Sequence, residues 1–417
     1  MKLKTKIRVV VTGRGVVSPV GSTVTEYWTG LRDGISGVIQ ITDFDVSRAS
    51  CQIAGMVQDF DPDTHFNHRE KKSYERFTQM GLVAATQAVE EAEMQKLDAG
   101  SGEVGVLMGT GVGGITSYAI AYDALFAGKV ERPIDAYTIP RIMNSALSSA
   151  IAIRMGIRGK NITLNTACSS GGNAIGQAFE WIREGSLRAV VCGAAEAPVT
   201  YGILRAWDAL GVLSRKYNKT PESACRPFEK NRSGFVLAEG AAVLVLESFE
   251  SAKTRNAEIF GEIAGFGSNC DATSLTNPDE NGVAESMKLA LEDAEISPDS
   301  IGYINAHGTG TRLNDPLECR AIHRVFGNRA SSLAVSSNKS QLGHAMGASS
   351  ALEALATILS VQNDCAPPTL NCIDPDPECD IDPVSNYARK LNIEAALSNS
   401  FAFGGSNAVL VIKKWKP

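Results

Sequence analysis

The chain has 417 residues, 21% of them charged and 44% hydrophobic, with a formal net charge of −6 at pH 7. That length suits one large or two medium domains with well-buried cores, and the balance is that of a globular protein. The acidic balance argues against general nucleic-acid binding, no apolar run approaches membrane-spanning length, and nine cysteines in no regular framework indicate a reducing compartment, so a cytoplasmic protein is expected.

In chain order, "MKLKTKIRVVVTG" reads as a basic, exposed start running into a short strand, because its apolar stretch is too short for a signal peptide. In "GRGVVSPVG", Ser18 stands where a dinucleotide fingerprint needs its third glycine, and "GTGVGG" at 109–114 lacks the flanking context, so no nucleotide site is expected. "RFTQMGLVAATQAVEEAEM" is helical in period, and "NSALSSAIAIRMG" is a helix whose Ala and Ser positions allow close packing. "EVGVLMGTG", "NITLNTA" and "RAVVCGAA" are short, apolar and glycine-bounded, as buried strands are. After "GAAVLVLESFESAKTRNAEIF" the pattern restarts with "GEIAGFGSN", the helix "GVAESMKLALEDAE" and the strand "IGYINAHGTGT". This alternation predicts an α/β fold with helices covering the sheets. The stretches "ITLNTACSSGGNAIGQAFEWIREG" and "LAVSSNKSQLGHAMGASSALEALATILSVQ" echo each other as strand, reactive loop and small-residue helix, which suggests a duplication. The halves are drawn at 1–255 and 256–417, and the lack of a Pro/Ser-rich linker predicts that they pack together.

Cys168 falls between a strand and a helix whose apolar face carries Ala174, Ile175, Ala178, Phe179 and Ile182. The helix N-terminus would favour a thiolate there, and Gly171 and Gly172 leave space above the sulfur; an inert core cysteine is the alternative. Cys192, inside "AVVCGAA", reads as core, and Cys365, Cys372 and Cys379 lack the spacing and histidines of a metal site, so no metal is expected. Of five histidines, His65, His68 and His323 lie in charged stretches. His307 ends a strand before "GTGT", His344 precedes a buried-looking helix, and Lys339 adds a charge five residues upstream. A cysteine and two histidines at strand–loop–helix junctions suggest a thiol nucleophile served by two imidazoles.

These motifs together resemble the β-ketoacyl-[acyl-carrier-protein] synthases, the condensing enzymes of the thiolase superfamily. The similarity runs through "VVVTGRGVVSPVG", "ACSSGGNAIGQA", "CRPFEKNRSGFVLAEGAAVLVLE", "NAHGTGTRLNDPLE", "SNKSQLGHAMGAS" and "NSFAFGGSNAVLV", in the family's order. The resemblance implies a duplicated thiolase-like α/β/α/β/α five-layer sandwich. It implies decarboxylating condensation of an acyl chain on Cys168 with malonyl-acyl-carrier protein, in fatty-acid or polyketide/polyene elongation. Carrier thioesters exchange between thiols, which suits a cysteine of lowered pKa. The amides of Cys168 and Phe403 would form the oxyanion hole, with Gly404 and Gly405 leaving that loop free of bulk. His307 and His344 would hold the malonyl thioester oxygen.

By the same resemblance Lys339 is catalytic or a scaffold cation, in acidic surroundings supplied by Asp315, Glu318 and Glu353. Thr309 and Thr311 would meet the pantetheine arm, Phe401 the substrate, and Phe403 would gate the acyl pocket. Val112 would line that pocket at a dimer interface. Acyl-carrier protein would dock on Arg69, Lys71, Lys72 and Arg76 and on Arg215 and Lys216, near Lys219. A homodimer is implied, a heterodimer with a chain-length subunit being the alternative, with no nucleic-acid or membrane partner and no cofactor beyond the carrier's phosphopantetheine arm. Ala402 replaces a family glycine and would strain the gate loop if its φ were positive. "SSGGNAIG" and Ser233 also depart from the commonest residues, suggesting a specialised pathway. Two other readings stay open: a coenzyme A-dependent thiolase-fold enzyme, and a non-condensing malonyl decarboxylase or chain-length partner.

Overall fold

Ten strands hydrogen-bond into one sheet whose two ends are built alike. The computed structural model describes residues 6–126 and 134–416. In chain order the strands are β1 Val9–Val17, β2 Val104–Gly109, β3 Asn161–Leu164, β4 Ala189–Glu196 and β5 Gly240–Ser248. They continue as β6 Gly261–Cys270, β7 Tyr303–Asn305, β8 Ala334–Ser336, β9 Ala395–Phe401 and β10 Ser406–Lys413. The order across the sheet is β8-β7-β9-β10-β6-β1-β5-β4-β2-β3. Within each half, counted from its own first strand, that order is 3-2-4-5-1.

The pairing repeats as well. β2 is parallel to β3 and β4, as β7 is to β8 and β9, while the fourth and fifth strands of each half run antiparallel. The halves join edge to edge, β1 against β6, through Val9–Ile263, Val10–Glu262 and Val11–Gly261. β2 and β4 are buried along their whole lengths, which is why they read as unbroken apolar runs with no alternation.

The helices used below are α1 Arg76–Glu91, α2 Ile115–Phe126, α3 Ala146–Met155, α4 Ser170–Arg183, α5 Tyr201–Leu210, α6 Glu280–Asp293, α7 Asn314–Phe326 and α8 Ser349–Asn363. α1 and α3 cover the outer face of the first half, and α6 with α7 covers that of the second. α4 and α8 lie between the two halves of the sheet, giving the α/β/α/β/α layering. On α4 the buried face carries Ala174, Ile175, Ala178, Phe179 and Ile182, as its periodicity predicts. A Cβ on Gly171 would sit 2.8 Å from the backbone nitrogen of Ala351, so only glycine lets α4 approach α8 this closely. That contact brings the start of α4 beside the start of α8, and both starts carry reactive loops.

Cys192 is fully buried between strands, and Cys372 and Cys379 belong to the apolar core of the second half. Among the described residues no helix is long and apolar enough to cross a membrane.

Candidate active site

Strand β3 ends and the chain turns sharply: Thr166 leaves the extended region at ψ +41°, Ala167 takes a left-handed φ of +50°, and a 3-10 turn, Ala167–Ser169, runs into α4. Left-handed φ costs an alanine free energy, and surrounding bonds hold it. The Thr166 amide donates to Ser170 Oγ at 2.9 Å, and Ser170 Oγ donates to the Ala167 carbonyl at 2.7 Å. The corner points Cys168 toward the second half. Its Sγ lies 3.1 Å from His344 Nε2, and the other ring nitrogen of His344 meets Ser349 Oγ at 2.8 Å.

His307 comes from the loop after β7, and its ring crosses that of His344 edge-on at 5.6 Å between centroids. Its backbone is fixed by Glu318 on α7, which accepts from the amides of His307 at 2.9 Å and Gly308 at 2.8 Å. Asp315, one turn earlier, accepts from Gly310 at 3.1 Å and Phe228 at 2.9 Å and faces Arg232 at 3.9 Å. Of the three acids expected around Lys339, Asp315 and Glu318 make no ion pair with it among the described residues. They shape the backbone around "HGTG", and Glu353 alone of the three pairs with Lys339. Lys339 Nζ also donates to the His307 carbonyl at 2.6 Å and stands 3.4 Å from His307 Nδ1. An ammonium has no lone pair to accept a proton, so His307 Nδ1 faces it unprotonated and the ring proton sits on Nε2.

The electrostatics differ from the sequence expectation at the sulfur. Burial pushes the Cys168 thiol up to about 11, with the Lys339 charge and the Phe403 N–H opposing it. Desolvation outweighs both, which favours the neutral thiol at rest. Burial, together with Lys339, holds both His307 and His344 well below the ordinary imidazole range, so both rings are neutral. Burial also raises Glu353, to about 7, against the pull of Lys339.

Cys168, His307, His344, Thr309, Thr311, Phe401 and Phe403 line one cavity of about 250 Å³. Thr309 and Thr311 share a hydrogen bond of 3.0 Å on its polar side. Phe401 is buried edge-on to His307 at 5.8 Å, and Phe403 is half-buried beside the sulfur. Ala402 does not have a positive φ, so the strain feared for it is absent; Gly404 and Gly405 carry the left-handed turn at +83° and +75°. Val112 is not among the residues lining this cavity; its amide donates to Glu196 at 3.1 Å.

The docking cations are partly committed elsewhere. Arg76, expected at the surface, makes a two-point pair with the buried Glu239 at 2.7 Å, Lys71 pairs with Asp63, and Arg215 pairs with the buried Asp208 at 3.0 Å. Arg69, Lys72 and Lys216 make no ion pair among the described residues.

Sequence reasoning missed Ser349, the partner of His344 Nδ1, which looks like one more small residue of a packed helix. It also missed Glu196, whose buried carboxylate accepts from Thr110 Oγ1 at 2.8 Å, Gly111 N at 2.5 Å and Gly347 N at 3.1 Å. A lone acid ending the apolar strand "AVVCGAAE" was the available signal, since an unpaired buried carboxylate needs several donors.

Two family models match: "Beta-ketoacyl synthase, N-terminal domain" over residues 6–252 and "Beta-ketoacyl synthase, C-terminal domain" over 260–373. The 3-oxoacyl-[acyl-carrier-protein] synthase 2 of Synechocystis sp. is 41% identical over 413 residues, covering 99% of each chain. Among solved structures, the ishigamide ketosynthase/chain length factor superposes with a TM-score of 0.93 at 37% identity, covering 99% of this chain and 100% of that one. A type II PKS ketosynthase, in complex with its acyl-carrier protein and bound to the hexaketide, gives 0.91 at 32% identity, covering 99% and 100%.

Proposed function

The chain belongs to the β-ketoacyl synthase family, and as a condensing acyltransferase it acts in fatty-acid or polyketide chain elongation; from that premise we propose how its own residues divide the reaction. Cys168 takes the acyl chain from acyl-carrier protein by thiol exchange. As the sulfur attacks, its proton passes to His344 Nε2, 3.1 Å away, and Ser349 Oγ accepts from Nδ1. A thiol near 11 leaves only about one molecule in 10⁴ as thiolate at neutral pH, so this transfer has to accompany attack. The amides of Cys168 and Phe403 receive the oxyanion. The carrier thiol then leaves with a proton.

Malonyl-carrier protein enters next, its phosphopantetheine arm along Thr309 and Thr311. Loss of CO₂ leaves an enolate whose oxygen accepts from the Nε2–H of His307 and of His344. For the second bond His344 uses its other tautomer, with Ser349 now donating to Nδ1; a serine hydroxyl can do either. Neutral imidazoles suit this role, since each donates a hydrogen bond without surrendering its proton. The enolate carbon attacks the Cys168 thioester, a carbon–carbon bond forms, and the cysteine sulfur departs and is reprotonated. The chain needs no prosthetic group of its own for any of these steps.

The observation that carries this reading is the meeting of Cys168 with two neutral imidazoles in one cavity. The test is to incubate the protein with acyl- and malonyl-carrier protein and follow both the Cys168 peptide and the product by mass spectrometry. An acylated Cys168 and a two-carbon-longer β-ketoacyl product are expected. Malonyl decarboxylation without acyl-enzyme would favour a chain-length partner, and turnover with coenzyme A alone would favour a thiolase-type enzyme.

The carrier is expected on Arg69, Lys72 and Lys216, the cations left free of ion pairs. A second copy of the chain is expected on the edge of β3, where Ile162 is exposed; the same half also exposes Tyr118, Tyr122 and Phe126, stacked in a row on α2, and Ile139. Open edge strands and exposed apolar rows are both normally covered. Light scattering at micromolar concentration should report twice the chain mass, and a monomer would remove the proposal.

A further inference from the structure

Trp207 takes no part in the chemistry above, yet its ring connects two groups that do. On one side it lies 5.7 Å from the Phe403 ring, tilted by 46°. On the other it stands edge-on to Phe235 at 5.4 Å. Phe235 in turn stands edge-on to His344 at 5.3 Å, and His344 is the ring that faces Cys168. Phe403, Trp207, Phe235 and His344 thus form one row of contacting rings along the cavity wall. Ring pairs at these separations and angles attract beyond simple burial.

The first two rings of the row differ in how they are held. Trp207 sits on α5 next to Asp208, whose buried carboxylate accepts from the Ser50 amide at 2.9 Å and from Arg215 at 3.0 Å. Phe403 sits on a tight turn closed by Gly405 N to the Ala402 carbonyl at 3.0 Å and Ala402 N to the Ser406 carbonyl at 3.1 Å. Gly404 there is exposed, and a Cβ on it would meet nothing within 4 Å. The turn is anchored from outside by Gly404 N to the Leu275 carbonyl at 2.8 Å and by Asp271 N to the Gly405 carbonyl at 2.9 Å, so the indole faces a phenylalanine on a turn that is open only at Gly404.

We propose that Trp207 is a positioning residue: it latches the Phe403 turn closed beside Cys168 and, through Phe235, reports the state of that turn to His344. This rests on the reading that Phe403 gates the cavity. Loading an acyl chain must break the Trp207–Phe403 contact, and that contact re-forms before condensation with His344 again supported edge-on. The latch opposes the first half-reaction and supports the second.

The test compares wild type with Trp207→Ala and Trp207→Phe as the full chain. Two rates are read: acylation of Cys168 by a long-chain acyl-carrier protein, and decarboxylation of malonyl-carrier protein, which needs the imidazoles and no acyl chain. In Trp207→Ala, acylation should rise and decarboxylation fall, each by about fivefold, the factor corresponding to one aromatic pair of about 1 kcal/mol. Trp207→Phe keeps a ring and should recover most of the decarboxylation, and it stands as the test if the alanine variant does not fold. Both rates falling by one factor, or neither changing, would overturn the proposal and leave Trp207 as packing. Wild type that never acylates Cys168 would instead overturn the functional reading beneath it.

Discussion

The same corner occurs twice in this molecule, and only one copy holds a nucleophile. In the first half, Ala167 at φ +50° opens the 3-10 turn Ala167–Ser169, which runs into α4 at Ser170. In the second, Met346 at φ +44° opens the turn Met346–Ala348, which runs into α8 at Ser349. Laid over each other, the corners set Cys168 opposite Gly347. The second half has no reactive side chain at that point and carries its chemistry upstream, in His307, Lys339 and His344. The fourth strands diverge similarly: β4 ends on the buried carboxylate Glu196, while β9 ends on Phe401, edge-on to His307. Glu196 accepts from Gly347 of the opposite corner, so one half's acid fixes the other half's glycine. Duplication supplied a scaffold with two equivalent corners, and on the proposed reading side-chain divergence gives the first the acyl chain and the second the enolate.

If that division is right, the halves can be disabled separately. Cys168→Ala should lower condensation by more than about 10³-fold yet leave malonyl decarboxylation running, since the imidazoles remain; loss of both in a folded variant would break the division. His307→Ala is the reciprocal case. Losing one donor to the enolate should cost decarboxylation about 10²–10³-fold, with Cys168 acylation within a few-fold of wild type in a quenched-flow assay.

Lys339→Ala attacks the second half's scaffold. It leaves Glu353 buried without its cation, which typically costs about 3–5 kcal/mol. Denaturant unfolding should show that loss, and Lys339→Ala with Glu353→Leu should recover part of it. The pH dependence of the sulfur sharpens the contrast. Because burial raises the thiol to about 11, the thiolate fraction should climb about tenfold per pH unit above neutrality. Iodoacetamide labelling of Cys168 should follow it with no plateau below pH 9; a plateau near neutral pH would mean a stable thiolate. The smallest effect is expected at the surface. Reversing Lys72 and Lys216 to Glu should weaken carrier binding by about tenfold or less and flatten its salt dependence, measured by titration at two ionic strengths.

Much of this was legible in the residues. The runs "EVGVLMGTG" and "RAVVCGAA" announced buried strands, and the apolar face of α4 fell where its period put it. Cys168, His307, His344 and Lys339 were distinguishable because each is a reactive type at a strand–loop–helix junction inside otherwise apolar or glycine-rich surroundings. The ion pairs of Arg76 and Arg215 were not legible, since a basic run in sequence does not reveal a buried acid such as Glu239 or Asp208 waiting opposite it.

What the sequence determined alone is therefore the inventory: alternating elements, a repeated design, and one thiol with two imidazoles at junctions, all carried by local pattern. The tertiary structure decided the state and partners of those groups. Whether Cys168 rests as thiol or thiolate depends on desolvation balanced against a lysine 171 positions away in the chain, and the tautomer of His307 depends on that same lysine. Field and burial are sums over neighbours in space, which no window along the chain contains.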